Sequence, residues 1–179
     1  MKLYTRKGDA GQTDLLGERV SKNDPRIDLI GALDEATSSI GLARSMSTIP
    51  RLAEWLIECQ RDLYKMMAEL AFTDELRPDH FALGTDRVEW LEHLTDNLGD
   101  EVELAPHFIV PGDTVPGAVL DVARTIVRRA ERQAVDLASL GQVSNDQILR
   151  YLNRLSSFLF IAARYEESAA GIVARKAKA

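Results

Sequence analysis

The stretch AVLDVARTIVRRAERQAVDLASL, Ala118–Leu140, decides the fold of this chain. Apolar residues recur along it at close to the 3.6-residue period of an α-helix, which predicts one long amphipathic helix. The residues that set this period are Val119, Val122, Ala123, Ile126, Val127, Ala130, Ala134 and Leu137. Gly141 follows directly and is a typical helix stop.

Four further segments are also rich in helix-forming residues and carry the same apolar period. They run from Asp24-Pro25 to a break at Ile49-Pro50, from Arg51 to Phe72, from Thr85 to Leu98 where Gly99 ends the helix, and from Asn145 to Ala170. We therefore predict an all-α fold, a five-helix bundle in a single domain. Residues 1–26 form an N-terminal loop, residues 27–172 the bundle, and residues 173–179 a basic tail that we expect to fray.

Composition limits the possible partners. The chain has 179 residues, 45% of them hydrophobic, and a net charge of −6, so no general basic field favours nucleic acid. Cys59 is the single cysteine, which is typical of a reducing compartment. No apolar run approaches the roughly 18 to 20 residues of a membrane-spanning helix, and no signal-peptide core is present. We expect a cytoplasmic protein without a membrane partner.

The fourth predicted helix carries an unusual set of cations. Arg124, Arg128 and Arg132 stand at i, i+4 and i+8, with Arg129 and Glu131 beside them. Like charges at this spacing repel, so an anion is expected to face them. Acidic residues of neighbouring helices are one candidate. For the whole row we favour a polyphosphate or carboxylate ligand, because guanidinium groups bind these anions with two parallel hydrogen bonds.

The fifth predicted helix, YLNRLSSFLFIAARY, has a core face and a second, mixed face. Asn153, Ser157, Phe160 and Arg164 fall on the second face. Asn153 could bond a ribose or phosphate, although a surface amide is the plainer interpretation. His80, His93 and His107 show no metal-ligand spacing with one another or with Cys59, so the sequence identifies no metal site.

The N-terminal loop, TRKGDAGQTDLLGERVSK, is rich in hydrogen-bond donors. Gly8 and Gly11 permit sharp turns that present backbone N–H groups, and Thr5, Lys7 and Thr13 add side-chain donors. The loop lacks the Gly-Lys-Ser/Thr of a Walker A motif. Taken alone, Gly-Asp-x-Gly is typical of a simple turn.

Together these stretches resemble the PduO-type ATP:cob(I)alamin adenosyltransferases. The resemblance is carried by YTRKGDAGQTDLLGERVSKNDPRIDLIGALDEATSSIG at Tyr4–Gly41, FIVPG at Phe108–Gly112, ARTIVRRAER at Ala123–Arg132 and YLNRLSSFLFIAAR at Tyr151–Arg164. It implies a ferritin-like, five-helix bundle assembled as a homotrimer with active sites between subunits. It also implies transfer of the 5′-deoxyadenosyl group of ATP to cob(I)alamin, with release of triphosphate. A flavoprotein reductase and an adenosylcobalamin-dependent enzyme are the further partners that it implies.

The resemblance assigns roles to residues. The loop would hold ATP and its Mg²⁺ through Thr5, Arg6, Lys7, Gly8, Asp9, Ala10, Gly11, Gln12, Thr13, Asp14 and Lys22. The neighbouring subunit would complete the nucleotide site with Arg128, Arg129, Ala130, Glu131, Arg132 and Asn153. Asp34 would pair with Arg124 across the interface, and Phe108 would lie against the lower face of the corrin. We expect the catalytic contribution to come from Arg128, Asp34, Arg124 and Phe108.

Two positions depart from the family pattern. Ala10 stands where the family usually has lysine, so one cation expected near the phosphates is missing. Asp34-Glu35-Ala36-Thr37 replaces the usual Asp-Glu-Leu-Asn. These departures keep two other interpretations open: a corrinoid carrier that delivers adenosylcobalamin without performing the chemistry, and a helical scaffold that binds nucleotides in regulation.

Overall fold

The computed structural model describes residue 4 and residues 6–73, 76–104 and 106–178. Within these ranges the chain forms a β-hairpin, five α-helices and one short 3₁₀ turn at Asp79–Phe81. The hairpin comprises β1 (Gln12–Leu15) and β2 (Glu18–Ser21). The helices are α1 (Pro25–Met46), α2 (Pro50–Ala71), α3 (Thr85–Glu101), α4 (Val115–Ser139) and α5 (Asp146–Ala169). The predicted all-α bundle is confirmed, with the hairpin as an addition.

Helix α4 lies at the centre of the bundle. It packs along both α1 and α5, while α2 packs on α1 and α3 packs on α5. The apolar face predicted for α4 is buried at Ala123, Val127, Ala130 and Ala134, and the three alanines let the neighbouring helices approach closely. Val122, counted in the same apolar period, is instead exposed. Tyr151 and Phe158 of α5 supply the largest fully buried rings. No helix in the described ranges is both long enough and apolar enough to cross a bilayer.

Most helix ends follow the local signals in the sequence. Asp24 caps α1 by accepting a hydrogen bond from the backbone N–H of Arg26, and Asn145 caps α5 through the N–H of Gln147. One predicted end is wrong: α3 continues through Gly99 to Glu101. Gly99 adopts helical geometry because Leu98 and Val102, on either side of it, are buried and hold the last turn against the bundle.

The hairpin was not predicted, because its strands are only four residues long and mostly polar. Cross-strand side chains stabilise it: Arg19 bonds Gln12 at 3.0 Å and Asp14 at 2.6 Å. The tight turn requires Gly17, whose φ is +118°. Leu16, beside it, exchanges backbone hydrogen bonds with the end of α2, donating to Ala71 and accepting from Thr73. The hairpin is thereby fixed to the bundle.

The C-terminal residues also differ from expectation. Rather than fraying throughout, the tail pairs with the segment that contains Phe108. The N–H of Val110 donates to the carbonyl of Arg175 at 2.9 Å, and the N–H of Ala177 donates to that of Phe108 at 2.8 Å. Arg175 adds an ion pair with Asp113 at 2.8 Å. The backbone N–H and C=O groups of these two segments lie outside any helix, so the segments provide hydrogen-bond partners for each other.

A buried polar network crosses the bundle between α2, α3 and α5. Asp62 accepts hydrogen bonds from Arg87 at 2.8 Å and from the Tyr151 hydroxyl at 2.7 Å. Burial raises the pKa of Tyr151 well above its usual value. Burial also raises the pKa of the Cys59 thiol to about 12, partly offset by its hydrogen bond with Tyr151. The network is structural, since every charged member is paired.

Candidate functional site

The N-terminal loop is a series of tight turns closed by β2. Arg6 and Gly11 take positive φ angles of 63° and 77°. The N–H of Gly11 donates to the carbonyl of Gly8, and the N–H of Lys22 donates to the carbonyl of Gly11 at 2.9 Å. The Arg19 guanidinium donates to the Lys7 carbonyl at 2.6 Å. The loop is therefore shaped by its own backbone before any ligand binds.

Lys22 folds back over this loop. A Cβ placed on Gly8 would stand 3.2 Å from the Lys22 Nζ, so the ammonium group lies directly against the glycine. Asp9 and Ala10 are exposed beside it. Of the remaining loop residues predicted to bind ATP, Gln12 and Asp14 are engaged with Arg19, Thr13 is half-buried, and Thr5 lies outside the described residues.

The arginines of α4 have different partners. Arg124 bonds Asp121 at 2.9 Å, and Arg129 pairs with Glu35 of α1. Acidic partners on neighbouring helices, the first candidate, are thus correct for Arg129, whereas the partner of Arg124 lies three residues earlier on α4 itself. Arg128 and Arg132 have no carboxylate partner in the part of the chain that the structure describes; Arg132 donates only to the Arg128 carbonyl at 3.1 Å. Both are exposed, so their charges stay available to an anion.

Asn153 connects this row to α5. Its side-chain amide donates to Glu131 at 2.9 Å and accepts from Arg154 at 2.7 Å. The sequence-predicted residues Glu131 and Asn153 therefore meet in the structure, one turn from Arg128. Ala130, also predicted for this site, is fully buried and contributes backbone and close packing rather than a side-chain contact.

Two clefts open beside the arginine row, between α3, α4, α5 and the segment around Phe108. The first, about 620 Å³, is lined by Thr95, Asp96, Gly99, Asp100, Leu104, Arg124, Arg128, Ser156, Ser157, Phe160 and Ile161. The second, about 590 Å³, is lined by Pro106, His107, Phe108, Ile109, Pro111, Asp121, Arg124, Phe160 and Arg164. Because Arg124 and Phe160 line both, the clefts adjoin and present apolar side chains together with charged groups of both signs.

Phe108 stands out among the side chains of the second cleft. It is 90% exposed, although large apolar side chains usually bury most of their surface. Its backbone is held by the pairing with the C-terminal tail. An exposed aromatic ring on a fixed backbone at the rim of a cleft is suited to pack against a ligand face.

Four charged side chains are linked beside the second cleft: Asp121, Arg124 and Arg164 line it, Glu167 lies behind Arg164, and all but Arg124 are buried. Asp121 accepts from Arg124 at 2.9 Å and from Arg164 at 2.8 Å. Arg164 also bonds Glu167 at 2.8 Å, and burial raises the pKa of Glu167 despite that guanidinium. Sequence reasoning missed Asp121 and Glu167. The signal was the mixed face of α5, where Arg164 and Phe160 are aligned.

Not all predicted site residues meet within one chain. Asp34 of α1 is exposed and has no side-chain partner among the described residues, so its predicted pairing with Arg124 is not made within the chain. No hydrogen bond or ion pair within the described ranges links the N-terminal loop to the arginine row. A site that used both the N-terminal loop and the arginine row would need a contact between them that the described part of one chain does not make.

The comparisons with known proteins agree on one family. A family model described as "Cobalamin adenosyltransferase" matches residues 3–166. The corrinoid adenosyltransferase of Bacillus subtilis (strain 168) is 40% identical over 176 residues, which cover 96% of this chain and 90% of that protein. The corrinoid adenosyltransferase PduO of Salmonella typhimurium is 39% identical over 94% of this chain, which spans about half (50%) of that longer protein.

Solved structures give the same result. A variant PduO-type ATP:corrinoid adenosyltransferase from Lactobacillus reuteri, complexed with cobalamin and ATP, superimposes with a TM-score of 0.92 at 36% identity. That alignment covers 99% of this chain and 97% of that one. A second variant of the same type and source, complexed with ATP, gives a TM-score of 0.89 at 34% identity, with 98% and 100% coverage.

Proposed function

Because the chain belongs to the cobalamin adenosyltransferase family, we propose that it transfers the 5′-deoxyadenosyl group of ATP to the cobalt of cob(I)alamin. Cobalt(I) supplies the electron pair for the new Co–C bond, the C5′–O bond breaks, and triphosphate leaves with the electron pair of that bond. The observation that carries the proposal is the pair of uncompensated cations, Arg128 and Arg132, beside clefts whose rim bears the exposed Phe108.

The chemistry requires little of the protein as a base, since cob(I)alamin is itself a strong nucleophile. The protein must hold C5′ in line with cobalt and stabilise the charge that grows on the departing triphosphate. Arg128, Arg132 and Lys22 are suited to the second task, because their side-chain charges have no carboxylate partner among the described residues and can pair with the phosphates. The loop N–H groups around Gly8 would add donors to the phosphates.

Mg²⁺ would enter with the triphosphate. This ion usually retains waters and takes phosphate oxygens together with one or two carboxylates. The exposed Asp9 fits such a role, since its carboxylate has no partner among the described residues and follows Gly8 in the loop that Lys22 contacts. Bound there, the ion would supply further positive charge to the leaving group.

Phe108 would act on the corrinoid side. Cob(II)alamin is hard to reduce while a lower axial ligand remains on cobalt. A ring packed against the lower face of the corrin would exclude that ligand and favour the low-coordinate form. The exposure of Phe108 and the support of its backbone by the tail are consistent with this role.

We propose that the complete site forms between two copies of the chain in a homotrimer. The N-terminal loop of one copy would hold ATP over the arginine row of the next, and Asp34 would reach the neighbouring Arg124. The exposed, unpaired state of Asp34 within one chain supports this arrangement. A cytoplasmic location, a flavoprotein reductase and an adenosylcobalamin-dependent acceptor enzyme complete the proposal.

The decisive experiment is anaerobic. The protein is mixed with chemically reduced cobalamin, ATP and Mg²⁺, and the absorbance of cob(I)alamin is followed. We expect decay that depends on both protein and ATP and yields a light-sensitive alkylcobalamin with free triphosphate. Binding of both ligands in calorimetry without any decay would contradict the transferase and favour the corrinoid carrier. In that case Ala10→Lys would test the departure in the loop.

A further inference from the structure

Arg124 is held by one edge only. Its Nε–H donates to Asp121, whereas its two terminal amino groups have no partner in the described part of the chain. The residue lines both clefts. A free arginine on a helix surface would sample many rotamers, and fixing its Nε restricts that freedom. Within one chain, the result is a guanidinium whose terminal amino groups stay available to the clefts and to Asp34 of a neighbouring copy.

Asp121 holds the Nε of Arg124 and is itself buried and paired with a second arginine. It is 4% exposed, and its other oxygen accepts from Arg164 Nη2 at 2.8 Å. A buried carboxylate is costly unless it is paired and hydrogen-bonded. Arg164 meets that requirement and is itself fixed by Glu167, with Arg164 Nε 2.7 Å from a Glu167 oxygen. The two arginines and two carboxylates balance, so Arg124 needs no solvent or substrate charge to stay in place.

We propose that Asp121 is a positioning residue. By accepting the hydrogen bond of the Arg124 Nε–H, it orients Arg124 toward the two clefts, which would bind the corrinoid. This inference rests on the proposed function, since it assigns the clefts to the corrinoid. Loss of the hydrogen bond between Asp121 and Arg124 would weaken corrinoid binding. ATP, assigned to the loop and to Arg128, would bind as before. Asp121 also lines the second cleft, so the test below has to distinguish its effect through Arg124 from a direct contact with the corrinoid.

The chain offers a matched control. Asp62 is also buried, at 5% exposure, and it too accepts from an arginine and from a second donor, Tyr151. It lines neither of the two clefts. Asp62→Asn and Asp121→Asn therefore remove the same charge from similar surroundings, and only the second change affects Arg124.

The test uses full-length chains and anaerobic calorimetry with cob(II)alamin and, separately, with ATP. We expect Asp121→Asn to raise the Kd for cob(II)alamin about tenfold, the lower end for a hydrogen bond to a charged group. The Kd for ATP should stay within about twofold of the parent. Asp62→Asn should lower the thermal midpoint and leave both Kd values within that range.

A second experiment, in Arg124→Ala protein, tests whether Asp121 acts through Arg124 or by contacting the corrinoid directly. In Arg124→Ala protein, adding Asp121→Asn should change the Kd for cob(II)alamin by less than about twofold, because the residue it positions is gone. A further tenfold loss there, or equal effects of Asp121→Asn and Asp62→Asn in the parent, would overturn the inference. A parent that binds both ligands without turnover would overturn the proposed function alone, since the readout here is binding.

Discussion

Four arginines within nine residues of α4 meet different surroundings, and those surroundings determine what each can do. The spacing alone predicted a shared anionic partner. The structure shows instead that Arg129 is paired with Glu35, while Arg128 has no carboxylate partner among the described residues. The partner of Arg124 lies on α4 itself and that of Arg129 on α1, so the periodicity of α4 predicts where the arginines lie but not which of them are paired.

Removal of Arg128 tests the free charge. Arg128→Ala should lower kcat on the order of 100-fold, because one preorganised donor to a developing anion contributes about 3 kcal/mol. The measurement is cob(I)alamin decay at saturating ATP and Mg²⁺. Arg150→Ala, an exposed arginine of α5 that bonds only Gln147, is the matched control and should keep its rate. A variant within twofold of the parent would remove Arg128 from this role.

Phe108→Ala tests the aromatic ring at the cleft rim. Starting from cob(II)alamin with a reductant, activity should fall at least about tenfold, as expected for loss of a large apolar contact. Starting from pre-reduced cob(I)alamin, the loss should be smaller, because no axial ligand then has to be excluded. Equal losses in the two assays would mean that the ring has another task. Val173→Ala, which removes another exposed apolar side chain, serves as the comparison.

Burial makes the thiol of Cys59 a poor nucleophile. Burial raises its pKa to about 12, so at pH 8 on the order of one thiol in 10⁴ is ionised. Because the thiolate is the nucleophile, we expect native protein to resist a disulfide reagent such as Ellman's reagent at pH 8. The same protein in denaturant should react with one thiol per chain. Rapid reaction of the native state would contradict the buried placement.

At the scale of elements, sequence reasoning worked where a local signal dictates the backbone. Asp24-Pro25 predicted the start of α1, and Asn145 predicted the start of α5, because caps act within two or three residues. It failed for β1 and β2, whose stability depends on Arg19 across the hairpin and on Leu16 against α2. When a four-residue strand is stabilised by contacts with distant residues, its own sequence carries little information that predicts it.

The cap of α1 also links the hairpin to the bundle. Arg26 bonds Asp24 and the hairpin residue Glu18, and its hydrogen bond lowers the pKa of Asp24. Asp24→Ala should therefore lower the free energy of unfolding by about 1 kcal/mol at pH 7, the usual cost of a lost cap. Arg61→Ala, which removes an exposed ion pair with Glu58, does not affect this cap and is a suitable comparison in urea unfolding.

The pH dependence of this effect has a definite sign. Asp24 has a folded pKa below its ordinary value of 3.8, so its contribution is complete above that pH and is lost as pH falls through the lowered folded pKa. The difference in unfolding free energy between parent and Asp24→Ala should shrink as the pH is taken from 5 to below 3. A difference that stayed constant with pH would mean that the carboxylate charge is not involved.

At the scale of the whole molecule, the two proposed halves of the nucleotide site do not meet within the described part of one chain. The loop around Gly8 and Lys22 is preformed, and so is the row around Arg128, yet no bond within the described residues joins them. Asp34 is likewise exposed and unpaired. Apolar periodicity describes one chain's core, so it could not predict which surfaces of separate copies meet. The trimer is therefore a prediction from the family resemblance.

Complementation between two defective chains tests this arrangement. In a trimer whose sites combine the loop of one chain with the arginine row of the next, Lys22→Ala and Arg128→Ala chains assembled together regenerate some intact sites. Random assembly at equal amounts would make about a quarter of the sites intact, so we expect about a quarter of the parent activity. Light scattering should give about three times the 19.9 kDa chain mass.

The control is the same two variants mixed as preassembled oligomers that do not exchange subunits, which should show only their separate residual rates. If coassembled chains are no more active than that mixture, each site is made by a single chain and the loop must reach its own arginine row. If activity recovers, the separation of Lys22 from Arg128 within one chain has its explanation: each copy completes the site of its neighbour, and assembly becomes a condition of catalysis.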